Sequence, residues 1–74
     1  MLKGTREGIV RRIQPVSIHG QISLDVQFVY PEDSNGQIQV ARLGPEAVES
    51  GIEPGDRVQV EFLMGAAVNV KRAR

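Results

Sequence analysis

The stretch Ile22-Ser23-Leu24-Asp25-Val26-Gln27-Phe28-Val29-Tyr30 decides the fold, because Ile22, Leu24, Val26, Phe28 and Tyr30 alternate with Ser23, Asp25, Gln27 and Val29. Side chains leave a strand on alternate sides, so this spacing predicts a strand with one buried face. Upstream, Pro15 is unsuited to a central ladder position, and Pro15-Val16-Ser17-Ile18-His19-Gly20 reads as a loop ending on a glycine able to take a positive φ. Before that loop, Gly8-Ile9-Val10-Arg11-Arg12-Ile13 is β-branched and half alternating, which predicts a first strand with an irregularity near Arg11 and Arg12. Downstream, Pro31-Glu32-Asp33-Ser34-Asn35-Gly36 is dense in turn formers and predicts a hairpin with Asn35-Gly36 at two positive-φ positions. Ile38 and Val40 then alternate with Gln37, Gln39 and Ala41 as a third strand.

Further out, Gly44-Pro45-Glu46-Ala47-Val48-Glu49-Ser50-Gly51 predicts a short helix, with proline where a first helical residue can lack its N–H, acids in the first turn and glycine at the end. Glu53-Pro54-Gly55-Asp56 fits a type II turn. Val58, Val60 and Phe62 give a fourth strand, and Val68 and Val70 a fifth after the small, bendable Met64-Gly65-Ala66-Ala67. Five short strands with one helix between the third and fourth is the order of the OB-fold, so residues 1–74 are expected to form a single all-β, five-stranded, OB-fold-like Greek-key barrel. An SH3-like barrel is the competing architecture. The expected core is Ile9, Ile13, Ile22, Leu24, Val26, Phe28, Ile38, Val40, Val58, Val60, Phe62, Val68 and Val70.

A chain of 74 residues supports one core, and without cysteine neither a disulfide framework nor a thiolate zinc site can supplement it. The apolar fraction of 41% and charged fraction of 24% are those of a globular domain. No apolar run is long enough for a transmembrane helix, and the opening residues lack the apolar stretch of a signal peptide, so a soluble, cytoplasmic protein with no membrane partner is expected. The net charge of zero conceals segregation: residues 1–12 carry +3, residues 71–74 another +3, and residues 13–70 carry −6. Basic ends can attract phosphate even when the total is zero.

Catalytic chemistry has little to work with. His19 is the single histidine, so a Ser/His/Asp triad has no support, and the scattered glycines form no phosphate-cradling loop ahead of a long helix. Neither a metal site nor a cofactor is expected. Glu32-Asp33 reads as a solvated turn pair. OB barrels commonly bind oligonucleotides on the face of strands two and three, which here is expected to be Ser23, Asp25, Gln27, Gln37, Gln39 and Ala41, with no aromatic for stacking. The three aromatics fall in the inward register, Tyr30 at a strand end within reach of the rim.

Two resemblances add to this reading. The stretch Ala47-Val48-Glu49-Ser50-Gly51-Ile52-Glu53-Pro54-Gly55-Asp56-Arg57-Val58-Gln59-Val60 resembles the helix, turn and fourth strand of the Mop and TOBE domains, which implies an OB-type barrel and small-oxyanion binding. The opening Gly8-Ile9-Val10, the segment Pro54-Gly55-Asp56-Arg57-Val58-Gln59-Val60-Glu61 and the basic end Lys71-Arg72-Ala73-Arg74 are similar to bacterial translation initiation factor one, which implies RNA binding on an OB barrel. The leading expectation is a non-enzymatic module that contacts RNA or single-stranded DNA through Lys3, Arg6, Arg11, Arg12, Lys71 and Arg72. The alternative is a protein-interaction or assembly module, marked by an exposed apolar patch around Val16, Ile18, Leu63 and Met64.

Overall fold

The computed structural model describes residues 3–73; Arg74, counted above in the basic end, lies outside them. The chain is all-β, with five strands: β1 (Lys3–Ile18), β2 (Gln21–Val29), β3 (Gln39–Leu43), β4 (Arg57–Leu63) and β5 (Ala66–Arg72). They form one antiparallel sheet in the order β3-β2-β1-β4-β5. Its two edge strands, β3 and β5, approach within 8 Å between Cα atoms, yet no ladder joins them. Hydrogen bonds therefore do not close the sheet. No helix among the described residues is long and apolar enough to cross a membrane.

β1 is the organising strand. Lys3 to Ile9 pair with β4 on one edge, while Ile9 to Ile18 pair with β2 on the other. Val10 makes the last links to the β4 side, donating to the Asp56 carbonyl at 2.9 Å and accepting from the Gly55 N–H at 2.7 Å. At Arg11 the β1–β2 register slips by one residue, the bulge foreshadowed by the irregular pattern there. Because of it, Val10 on one side and Ile13 on the other both face the core.

The loop expected over residues 15–20 is instead the end of a long hairpin. His19 (φ 52°) and Gly20 (φ 79°) form a two-residue turn with both φ values positive, which suits the right-handed twist of the flanking strands. Such a turn makes Ile18 and Gln21 a hydrogen-bonded pair, and alternation back along the ladder gives Pro15 a non-hydrogen-bonded position opposite Leu24. Its nitrogen points to the open edge, where no N–H is required. The β4–β5 connection repeats the device with Met64 (φ 54°) and Gly65 (φ 83°).

Val10, Val26, Val58, Val60 and Val70 are wholly buried and Phe28 nearly so, joined in the core by Ala41, Leu43, Val48 and Ile52. Gly8 has a packing reason: a Cβ there would stand 2.8 Å from Phe28 Cδ2, so the bare backbone of β1 is the seat of that ring. The expected inward register is correct for β2 at Val26 and Phe28 and for Val58, Val60 and Val70. It is off by one in β3, where Ala41 and Leu43 face the core while Ile38 and Val40 are exposed. Ile22 is exposed because it lies on the hairpin beyond the core, and Val68 because a second bulge displaces it.

The helix expected over residues 44–51 shrinks to a single 3-10 turn, Pro45–Ala47, with no side-chain cap. Val48 instead bridges in parallel to Val70, and the Glu49 N–H donates to the Val70 carbonyl at 2.9 Å. Val48 and Ile52 thus join the core from the chain that follows the turn, and Ala47 packs at the margin from the turn itself. The type II turn at Pro54-Gly55 is present, with Gly55 at φ 94° and the Asp56 N–H bonded to the Glu53 carbonyl at 3.0 Å. The Pro31–Gly36 segment is a wider loop than the expected hairpin: only Gly36 has a positive φ, and Asp33 organises it by accepting from the Asn35 and Gln37 N–H groups.

Candidate functional site

The six basic residues singled out by sequence divide into two sets. Three are engaged by carboxylates: Lys3 Nζ lies 3.4 Å from Glu61, Arg6 Nη2 donates to Glu32 at 2.5 Å, and Arg72 Nη1 lies 3.6 Å from Glu49. Arg72 also donates from Nη2 to the Gly51 carbonyl and from its backbone N–H to Glu49, each at 2.7 Å, so it stitches residues 49–51 to β5. Arg11, Arg12 and Lys71 form no ion pair among the described residues. They do not converge. Arg12 stands opposite Gln27 on the outer side of the sheet, whereas Lys71 lies opposite Gln59, with β4 between β5 and β1.

The face expected on strands two and three is also different in composition. The slip in β3 sets Arg42 opposite Asp25 and Val40 opposite Gln27, while Gln39 and Ala41 turn to the inner side opposite Phe28 and Val26. Asp25 is consumed by a two-point ion pair, accepting from Arg42 Nε at 2.7 Å and Nη2 at 2.9 Å. That contact holds the Asp25 carboxyl below its usual range and raises the Arg42 pKa. The charge that would repel a phosphate there is therefore neutralised.

A concave feature of the surface lies where the sheet fails to close. A cleft of about 380 Å³ runs between β3 and the β4–β5 hairpin, lined by Phe28, Tyr30, Gln39–Arg42, Phe62 and Gly65–Ala67. All three aromatic residues of the chain meet in it. Phe28 forms the buried floor, with Tyr30 nearly perpendicular to it at 5.5 Å between centroids and 76° between planes. Tyr30 and Phe62 are only partly buried, so their rings present surface to the cleft. Behind Tyr30, the Arg6 guanidinium stacks 3.5 Å from the ring centroid, and its hydrogen bond keeps the Glu32 carboxyl below its usual range. Five exposed apolar residues, Ile38 and Val40 on the β3 side and Leu63, Met64 and Val68 on the other, belong to the segments flanking the cleft.

Sequence reasoning missed this site because it set Phe28 and Phe62 in the core, allowed only Tyr30 to reach the rim, and read β3 one residue out. The signal within reach was Tyr30 at the end of β2, where alternation carries an inward ring past the last ladder pair. The anticipated apolar patch is two patches: Leu63 pairs with Lys3 at one end of β1, and Ile18 stands at the other. His19 sits exposed in its turn, and among the described residues no group of three or more histidine, aspartate or glutamate side chains could hold a metal ion. No family model matches this chain, and neither a curated protein nor a solved structure matches it.

Proposed function

We propose that this chain is a non-enzymatic OB-type binding module that receives single-stranded RNA or DNA, seating an unstacked base in the cleft between β3 and β5. The observation that carries this reading is the gathering of Phe28, Tyr30 and Phe62 beside Gln39 and Arg42 in one concave site. Stacking on an aromatic ring is worth about 1–3 kcal/mol per base and tolerates any base. The Gln39 amide offers both a donor and acceptors to a base edge. The strand order supports an OB-type barrel whose seam lies between β3 and β5, with the ligand where strands two and three meet the β4–β5 connection.

Among the described residues, Arg11, Arg12 and Lys71 are cations without a carboxylate partner, whereas Lys3, Arg6 and Arg72 lie against carboxylates. Affinity then comes mainly from stacking. A fluorescence titration with a short single-stranded oligonucleotide tests the reading directly, since the chain has one tyrosine and no tryptophan and its emission reports on Tyr30 alone. Binding should quench that emission, and phosphate contacts by Arg11, Arg12 and Lys71 would together contribute about −2 to the log–log salt slope. Unchanged emission and unchanged amide shifts at low salt refute the proposal.

A protein-interaction role is supported by one independent observation. Residues 13–24, the outer part of the β1–β2 hairpin, contain no charged residue, and Ile18 and Ile22 are exposed on it. Under that reading Ile18→Asp abolishes association with a partner and leaves oligonucleotide titrations without signal in either protein.

A further inference from the structure

Resting on the cleft as the base-binding site, we infer that Arg6 is a positioning residue that holds the Tyr30 ring as a wall of that site, and that Glu32 is the latch that holds Arg6. Tyr30 lies one residue beyond the end of β2, so no ladder fixes it; its carbonyl accepts one turn hydrogen bond, from the Asp33 N–H at 3.0 Å. The ring is fixed by side chains instead. It packs nearly perpendicular to Phe28, Phe28 rests on the bare backbone of Gly8, and the Arg6 guanidinium covers a face at 3.5 Å. Arg6 and Gly8 are two residues apart on the same side of β1, and Tyr30 follows Phe28 by two residues just past the end of β2, so two neighbouring segments build one continuous stack.

The guanidinium is already occupied in both of the ways it binds best. Its face lies on an aromatic ring and its edge donates to the Glu32 carboxylate at 2.5 Å. Glu32 takes one of the five guanidinium N–H groups, at Nη2, and pairs its charge, so a phosphate at Arg6 would meet a cation already neutralised. A ring held in place before the ligand arrives spares the cost of ordering it during binding, about 0.5–1.5 kcal/mol for an immobilised side chain.

The two roles predict opposite signs. In the positioning role, Arg6→Lys keeps the charge but loses the flat stacking surface, so oligonucleotide affinity falls roughly 3- to 10-fold while the salt slope is unchanged, the fold-change expected from that ordering cost. Glu32→Gln also weakens binding, because Arg6 is released from Tyr30. If Arg6 instead contacts phosphate, Arg6→Lys binds nearly as wild type, Arg6→Gln lowers the slope by about 0.7, and Glu32→Gln strengthens binding by freeing the cation. Either of the last two results overturns the inference.

A ligand-free measurement separates this inference from the function it rests on. Acrylamide quenching of the single tyrosine should rise in both Arg6→Lys and Glu32→Gln, with thermal melts confirming that each variant is folded. Increased quenching without any oligonucleotide binding by wild type leaves Tyr30 positioned by Arg6 but removes the nucleic-acid site. Unchanged quenching in folded variants refutes the positioning role even where wild type binds.

Discussion

Replacing Gly8 by alanine tests the stack at its base. An alanine Cβ would stand 2.8 Å from Phe28 Cδ2 and 3.4 Å from Cγ, and the ring, 2% exposed and a member of the core cluster, has little freedom to retreat. Relieving such overpacking costs about 1–3 kcal/mol. Against this stands the gain from a less flexible unfolded chain, about 0.4–1 kcal/mol when glycine becomes alanine in a compatible conformation. The net should be a loss of about 1–2 kcal/mol, which in a domain of this size lowers Tm by on the order of 10 °C. Gly4 supplies the control on the same strand: it has no heavy atom within 4 Å of its Cβ position, so Gly4→Ala should be neutral or raise Tm by a few degrees. In calorimetric melts, therefore, Tm should fall for Gly8→Ala and should not fall for Gly4→Ala. A Gly8→Ala protein as stable as wild type, or a destabilised Gly4→Ala protein, refutes the packing of Phe28 on the β1 backbone.

Other outcomes follow from the same contacts. Val26→Asp puts an unpaired charge at a wholly buried position and should abolish the folded amide spectrum, since a chain of this length has only about 4–11 kcal/mol of stability, whereas Gln27→Asp on the outer side should stay folded. Met64 holds a left-handed conformation at φ 54° while 72% exposed, so Met64→Gly should raise stability by about 1 kcal/mol in denaturant titrations. Asp25 has a depressed folded pKa because Arg42 bonds its carboxylate, so its stabilising contribution is present above the unfolded value near 4 and is lost as pH falls through the lower folded value. Acid titrations of stability should accordingly be shallower below about pH 4 in Arg42→Gln than in wild type.

The legible parts of the fold were those where one side of a strand is buried without interruption. Val26 and Phe28, or Val58 and Val60, carry their register in the sequence because polar neighbours alternate with them. In β3 the run Gln37-Ile38-Gln39-Val40-Ala41 alternates equally well, but the inward positions belong to Ala41 and Leu43, and a small residue at the core gives a weak signal beside two exposed β-branched ones. Pro15 misled for a reason of geometry: proline interrupts a ladder only when its nitrogen faces a partner, and here it faces the open edge. The helix signals at Pro45 and Glu46 were real but local, and the burial of Val48 and Ile52 by extended chain prevailed over them. Of the candidate site, the charges were visible and their pairing was not. Glu32 is far from Arg6 in sequence, as Glu49 is from Arg72, and only the fold brings them together.

The division of β1 between two partners also orders the folding reaction in time. Its outer half meets β2 through a two-residue turn, with Ile18 beside Gln21, whereas its inner half must find β4, with Ile9 beside Arg57. The second closure spans roughly four more doublings of loop length at about 0.6 kcal/mol each, a further barrier of about 2.4 kcal/mol. A β-hairpin forms in about 1–10 μs, so the β1–β2 hairpin can exist as a template long before β4 arrives, and the search for β4 sets the rate. The links between Glu49 and β5 depend on β5 already lying beside β4, so they are expected to form after that search. Alanine at Glu49 or Arg72 should leave the folding arm of a chevron plot in place and raise only the unfolding arm.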